Sequence, residues 1–226
     1  MIKINPKLII FDMDGTMLDT EPLSQEGMHV AAREQGFEVP DGFFEQMVGR
    51  NKANAHRLIL ETIGPGFDFE RGMNTHQAYI DNYFETHGAP LKKGLMELLA
   101  RLEEAGIRKC VATSTDKASA IRKLKYADIF HRFEVIFGGD DVVESKPNPE
   151  IFLKAAAFFN TDPQDCLIIE DSPAGCMGAF NAGIPFILVP DFVAVSDDVR
   201  GKALFVCRDL NEVCHIVMRG FVNRSS

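Results

Sequence analysis

Leu8-Ile9-Ile10-Phe11-Asp12-Met13-Asp14-Gly15-Thr16 is the stretch that decides the fold. The apolar run 8–11 is too short for a buried helix and suits a strand covered on both faces, as parallel strands are. It stops at Asp12, and Gly15 permits the turn that must follow. On a regular strand, residues i and i+2 share a face. Asp12 and Asp14 are therefore placed to bring two carboxylates together above a sheet. Aspartates are also common at turns and helix N-termini, and the tetrapeptide alone leaves that alternative open.

Similar apolar runs recur at 109–113, 135–137, 167–170, 186–189 and 204–207. Helical patterns separate several of them. Leu95, Leu98, Leu99 and Leu102 fall at i, i+3, i+4 and i+7, with Gly106 as a stop. Strands alternating with helices predict an α/β protein, a three-layer Rossmann-like parallel sheet core. Residues 18–90 break the alternation, showing helical patterns and no convincing strand. One begins near Pro22, one covers 52–63 and one covers 70–86, and Gly64-Pro65-Gly66 separates the last two. The expected organisation is a core of 1–17 and 91–226 carrying an inserted α-helical cap domain, 18–90.

A chain of 226 residues is long enough for such a core with an insertion. With 24 Lys and Arg against 33 Asp and Glu, the net charge of −9 argues against a nucleic-acid partner, whose binding rests on neutralised phosphates. It leaves room for a small anionic ligand in a locally positive site. The five cysteines are scattered without a CxxC pair, so neither a disulfide framework nor a zinc site is expected. The six histidines show no metal-ligand spacing either. The run 8–11 is far too short for a signal peptide or a membrane span, so no membrane partner is expected and the cytoplasm is the expected location.

Three more pieces carry chemistry: Val111-Ala112-Thr113-Ser114, Ser145-Lys146-Pro147 and Ile168-Ile169-Glu170-Asp171. The first and last sit where a strand gives way to a loop, the edge at which open α/β sheets bind ligands. Glu170 and Asp171 precede Ser172-Pro173, a helix start, so capping is their ordinary alternative. Lys146 alone reads as a solvated lysine. Pro147 nevertheless restricts its backbone, and Pro149 suits the opening of the next helix.

Taken together, the four pieces resemble the haloacid-dehalogenase superfamily, in its β-phosphoglucomutase-like and phosphatase branch with a helical cap. FDMDGTMLDTEP (11–22), SKPNPEIF (145–152) and IIEDSPAGCMGAFNAG (168–183) carry the resemblance. It implies that Asp12 is a nucleophile forming an aspartyl phosphate, and that Asp14 is the general acid and base. It further implies Mg²⁺ on Asp12, Asp14 (through its carbonyl), Asp171 and Glu170. Thr113, the Ser114 amide and Lys146 would hold the phosphoryl oxygens. Crowding of so many acids is expected to favour a protonated Asp14. Arg50 and Lys52, after Val48-Gly49, are candidate substrate contacts from the cap, with a solvated surface as the alternative. The implied partner is a small phosphorylated metabolite, such as a sugar phosphate. Mutases of this branch carry a histidine at the position of Ser24, and Glu21-Pro22 resembles the sugar-phosphate phosphatases, so hydrolysis is the expected reaction. A phosphomutase, or a catalytically idle binding protein with the same fold, remains the alternative. The oligomeric state is not legible, and a monomer is compatible with the sequence.

Overall fold

The structure is a computed structural model that describes residues 5–47 and 52–222. Among the described residues the first element is β1 (Leu8–Phe11), followed by four helices: α1 (Glu21–Arg33), α2 (Phe43–Met47), α3 (Lys52–Thr62) and α4 (Phe69–His87). Alternation follows: α5 (Leu95–Glu104), β2 (Arg108–Ala112), α6 (Lys117–Tyr126), β3 (Ile136–Phe137), α7 (Glu150–Phe158), β4 (Cys166–Glu170), α8 (Pro173–Asn181), β5 (Phe186–Leu188), α9 (Asp197–Arg200), β6 (Phe205–Val206) and α10 (Leu210–Val222). Each expected strand forms within a residue of its expected bounds. α2, five residues long, has no counterpart in the sequence reading, which also named no helix for α6, α9 or α10.

The six strands make one parallel sheet in the order β3-β2-β1-β4-β5-β6. β1 lies at its centre, pairing Phe11 with Val111 on one side and Ile169 on the other. Its alternation divides the core as the pleat requires. Ile9 and Phe11 join Leu95, Leu98, Leu99, Leu102 and Val213 on one face. Leu8 and Ile10 join Phe152, Ala155, Cys176 and Ala179 on the other. Helices cover both faces, which is why β1 is apolar at every position.

By contact, the chain divides into two units, Met1–Asp19 with Pro90–Ser226, and Thr20–Ala89. The junctions fall slightly inside the expected 18 and 90, for a backbone reason. Asp19 N donates to the Pro90 carbonyl (2.9 Å) and Lys92 N to the Met17 carbonyl (2.8 Å), flanking an antiparallel bridge between Leu18 and Leu91. Those residues therefore belong to the sheet unit. The helical unit has its own core of Met28, Ala31, Phe43, Ile59, Phe67 and Phe69. Its longest helix, α4, is capped by Asp68, whose side chain accepts from Arg71 N at 3.1 Å. Among the described residues, no helix is long and apolar enough to cross a membrane.

Candidate active site

The order β3-β2-β1-β4 means that the chain leaves β1 to one side and returns to its other side at β4. Such a switch point opens a crevice at the carboxyl ends of the strands. Asp12 follows β1, Thr113 follows β2, and Glu170 ends β4, so neighbouring strands deliver the candidate side chains to one edge.

Lys146 arrives from the loop after β3 and binds them together. Its Nζ donates to Asp12 Oδ1 (2.5 Å), to Glu170 Oε1 (2.8 Å) and to the Ala112 carbonyl (3.0 Å). The ammonium also lies 4.9 Å from the centre of the Phe152 ring. Asp12, Lys146 and Glu170 are all buried. Glu170 has both oxygens committed, since Oε2 accepts from the Asp171 amide, the Ser172 amide and the Ser172 hydroxyl at 2.8, 2.8 and 3.0 Å. Gly175 makes this possible: a Cβ there would stand 1.6 Å from Glu170 Oε1. Ser172 caps α8 by accepting from Gly175 N at 3.0 Å.

Burial governs the charge states. It pushes the Asp12 carboxyl up to about 7, although Lys146 pulls the other way. Burial, Glu170 and Asp12 together raise Asp171 well above the carboxylate range, against a hydrogen bond from Thr16 Oγ1 at 2.8 Å. Burial also lowers Lys146, but Asp12 and Glu170 outweigh it and hold the ammonium above its ordinary value. One lysine therefore leaves an excess of negative charge.

The donor set bears on whether a divalent cation suits that excess. Among the described residues, no three His, Cys, Asp or Glu side chains are gathered as a metal cluster. Mg²⁺ does not require one, because it binds through one or two carboxylates and keeps several waters. Asp12 and Asp171, near enough for the charge of one to act on the other, supply two such carboxylates. Gly15, at φ +84°, keeps space open beside Asp171, since a Cβ there would meet Asp171 Oδ2 at 2.4 Å. The residues fit a hard, hydrated cation.

Asp14 follows a different course. Its oxygens accept from Thr115 Oγ1 (2.8 Å) and Lys123 Nζ (2.7 Å). The crowding expected to protonate it is thus met by an ammonium and a hydroxyl. Thr113 is buried, with its Oγ1 accepting from Thr115 N at 3.1 Å, whereas Ser114 is exposed. The haloacid dehalogenase-like hydrolase family model matches residues 9–189, a span that includes every one of these groups.

The chain belongs to the haloacid dehalogenase-like hydrolase family.

Within the family it is a phosphatase of small phosphorylated metabolites, the class that several of its relatives' names give. It is 31% identical over 210 residues to (DL)-glycerol-3-phosphatase 1 of Arabidopsis thaliana, covering 87% of this chain and 70% of that one. It is 29% identical over 178 residues to the phosphorylated carbohydrates phosphatase of Thermotoga maritima, covering 78% and 81%. In fold it matches CbbY of Rhodobacter sphaeroides in complex with phosphate, at TM-score 0.78 and 22% identity, covering 92% and 96%. It also matches β-phosphoglucomutase of Clostridium difficile, at TM-score 0.69 and 22% identity, covering 98% and 100%.

The structure brings Asp12, Lys146 and Glu170 into direct contact and sets Thr113 and Asp171 on the same sheet edge. Arg50 lies outside the described residues, and of Lys52 only the backbone, at the start of α3, is described. In the helical unit, Ser24 Oγ lies 3.1 Å from His76 Nε2, so a histidine from α4 stands beside the position at which the family resemblance leads one to expect a mutase histidine. Both residues line a cavity of about 270 Å³ together with Met28, Phe43, Phe44 and Met73. Sequence reading missed Thr115 and Lys123. It also passed over Asp191, which lies three residues beyond the end of β5, at the same carboxyl edge of the sheet.

Proposed function

We propose that this chain hydrolyses a small phosphomonoester, of the sugar-phosphate kind, through an aspartyl phosphate on Asp12. The carrying observation is the buried Asp12–Lys146–Glu170 cluster at the switch point of the sheet. A buried carboxylate beside a fixed ammonium can approach an anionic phosphoryl group, whose transfer depends on position and electrostatics. Asp12 attacks phosphorus, the bond to the ester oxygen breaks, and a proton from Asp14 completes the leaving alcohol. Asp14 then takes a proton from water, which attacks the same phosphorus and releases inorganic phosphate, restoring Asp12. For this Asp14 must give up its contacts with Thr115 and Lys123 and carry a proton in the first step.

Lys146, Thr113 and the Ser114 amide hold the phosphoryl oxygens in this reading. Mg²⁺ would rest on Asp12, the Asp14 carbonyl and Asp171, and would supply charge neutralisation between two anionic reactants. Glu170, with both oxygens committed, holds Lys146 and the β4–α8 turn, and would serve the ion through water. The inserted helical unit, 18–90 in the sequence reading, acts as the cap, and its polar groups choose the leaving group.

The test uses purified protein with Mg²⁺ and a set of phosphorylated metabolites. Phosphate release is expected, together with an acid-stable, hydroxylamine-labile phosphoenzyme that Asp12→Asn abolishes. A phosphoenzyme trapped on the Asp12→Asn protein would refute the assignment. His76 beside Ser24 keeps the phosphomutase as the second reading. Isomerisation of a sugar phosphate that requires a bisphosphate primer would select it.

A further inference from the structure

Asp191 has a feature that its neighbours do not. Its Oδ1 accepts from Lys92 Nζ at 2.5 Å, and the same ammonium binds Asp19 Oδ1 at 2.7 Å. Its Oδ2 is buried and has no hydrogen-bond partner, the one such side-chain atom among the described residues. The side chain as a whole is 21% exposed, so water reaches its neighbourhood while the orphaned oxygen points inward. A buried carboxylate oxygen left unpaired keeps its full desolvation penalty, and such an atom calls for an unseen water or ion.

Its direction is fixed by Gly15. The point where a Cβ of Gly15 would lie is 2.4 Å from Asp171 Oδ2 and 3.2 Å from Asp191 Oδ2. Two carboxylate oxygens thus flank one small space that glycine leaves open. Asp171 Oδ1 is occupied by Thr16, which leaves Oδ2 as the oxygen on the Asp191 side. When both are ionised, two carboxylates facing that space repel each other unless positive charge or its hydration shell comes between them.

We propose that Asp191 is an outer carboxylate of the cation site, its Oδ2 accepting a hydrogen bond from a water bound to the ion, with Lys92 aiming it. The inference rests on the cation-dependent reading of the site above. A hard divalent ion keeps waters that need acceptors, and outer acceptors of this kind are worth about 10- to 100-fold in metal affinity.

Asp191→Asn separates this from a merely structural role. The amide oxygen still accepts from Lys92, while the NH₂ that replaces Oδ2 cannot accept from a water. In chelator, the variant is expected to melt at or above the wild-type temperature, because an unpaired anion has gone. The Mg²⁺-induced rise in melting temperature should shrink, and calorimetry with Mg²⁺ should show affinity lower by about 10- to 100-fold. A variant that melts lower in chelator yet keeps its full Mg²⁺ response and affinity would overturn the proposal and leave the phosphatase reading intact. A wild-type protein with no Mg²⁺ response would remove that reading, and this inference with it. Asp191→Ala, followed by the same calorimetry, serves where Asp191→Asn does not fold.

Discussion

Lys146 illustrates how much one side chain carries at the residue scale. Its side chain is 4% exposed, and its ammonium satisfies two carboxylates and a carbonyl. Removing one partner of a buried charge cluster leaves the others unpaired, which costs more than the pairing itself contributed. Lys146→Ala should therefore lower kcat by about 10²-fold or more, as loss of one preorganised donor to a transition state does. Steady-state kinetics on any accepted phosphate ester, with folding checked by circular dichroism, measures it, and near-normal turnover would reject the role. The sequence showed Lys146 as a restrained lysine beside two prolines, and its partners were inferred from family likeness. Lys123 gave no such signal. Its meeting with Asp14 depends on how α6 packs beside the end of β1, a tertiary fact that no local pattern carries.

At the scale of elements, the strands were legible because burial on both faces leaves them uniformly apolar, as in β1 and β4. α5 was equally plain, its four leucines all fully buried. α2 escaped because five residues are too few for a helical period to emerge. The turn from β4 into α8 makes a sharper test of how elements meet. Gly175→Ala ordinarily gains up to about 1 kcal/mol within a helix. Here the added methyl would sit 1.6 Å from a Glu170 oxygen that Lys146 holds in place, so crowding wins. The expected net loss is about 1–3 kcal/mol by denaturant titration, accompanied by reduced turnover because Glu170 must move. A stabilised and fully active Gly175→Ala would show that α8 yields instead.

For the whole molecule, the manner of insertion matters most. The chain leaves and re-enters the sheet unit through a short antiparallel ladder at Met17, Leu18, Asp19, Pro90, Leu91 and Lys92. Its two strands are already in hairpin register, so an Asn-Gly turn replacing Thr20–Ala89 should close it with little strain. The shortened protein is expected to unfold cooperatively and to keep its Mg²⁺ response, while discrimination among phosphate esters flattens. Loss of cooperative unfolding would mean that the sheet unit depends on the helices. All five thiols, at Cys110, Cys166, Cys176, Cys207 and Cys214, are buried in this same unit, and the helical one has none. Burial pushes Cys166 up to about 12 and Cys207 to about 11, far from the reactive thiolate. The folded enzyme should thus be silent to alkylating reagents, and each label it takes up would clock an opening of the sheet unit, giving the catalytic half a native stopwatch that unfolding within the helical unit does not start.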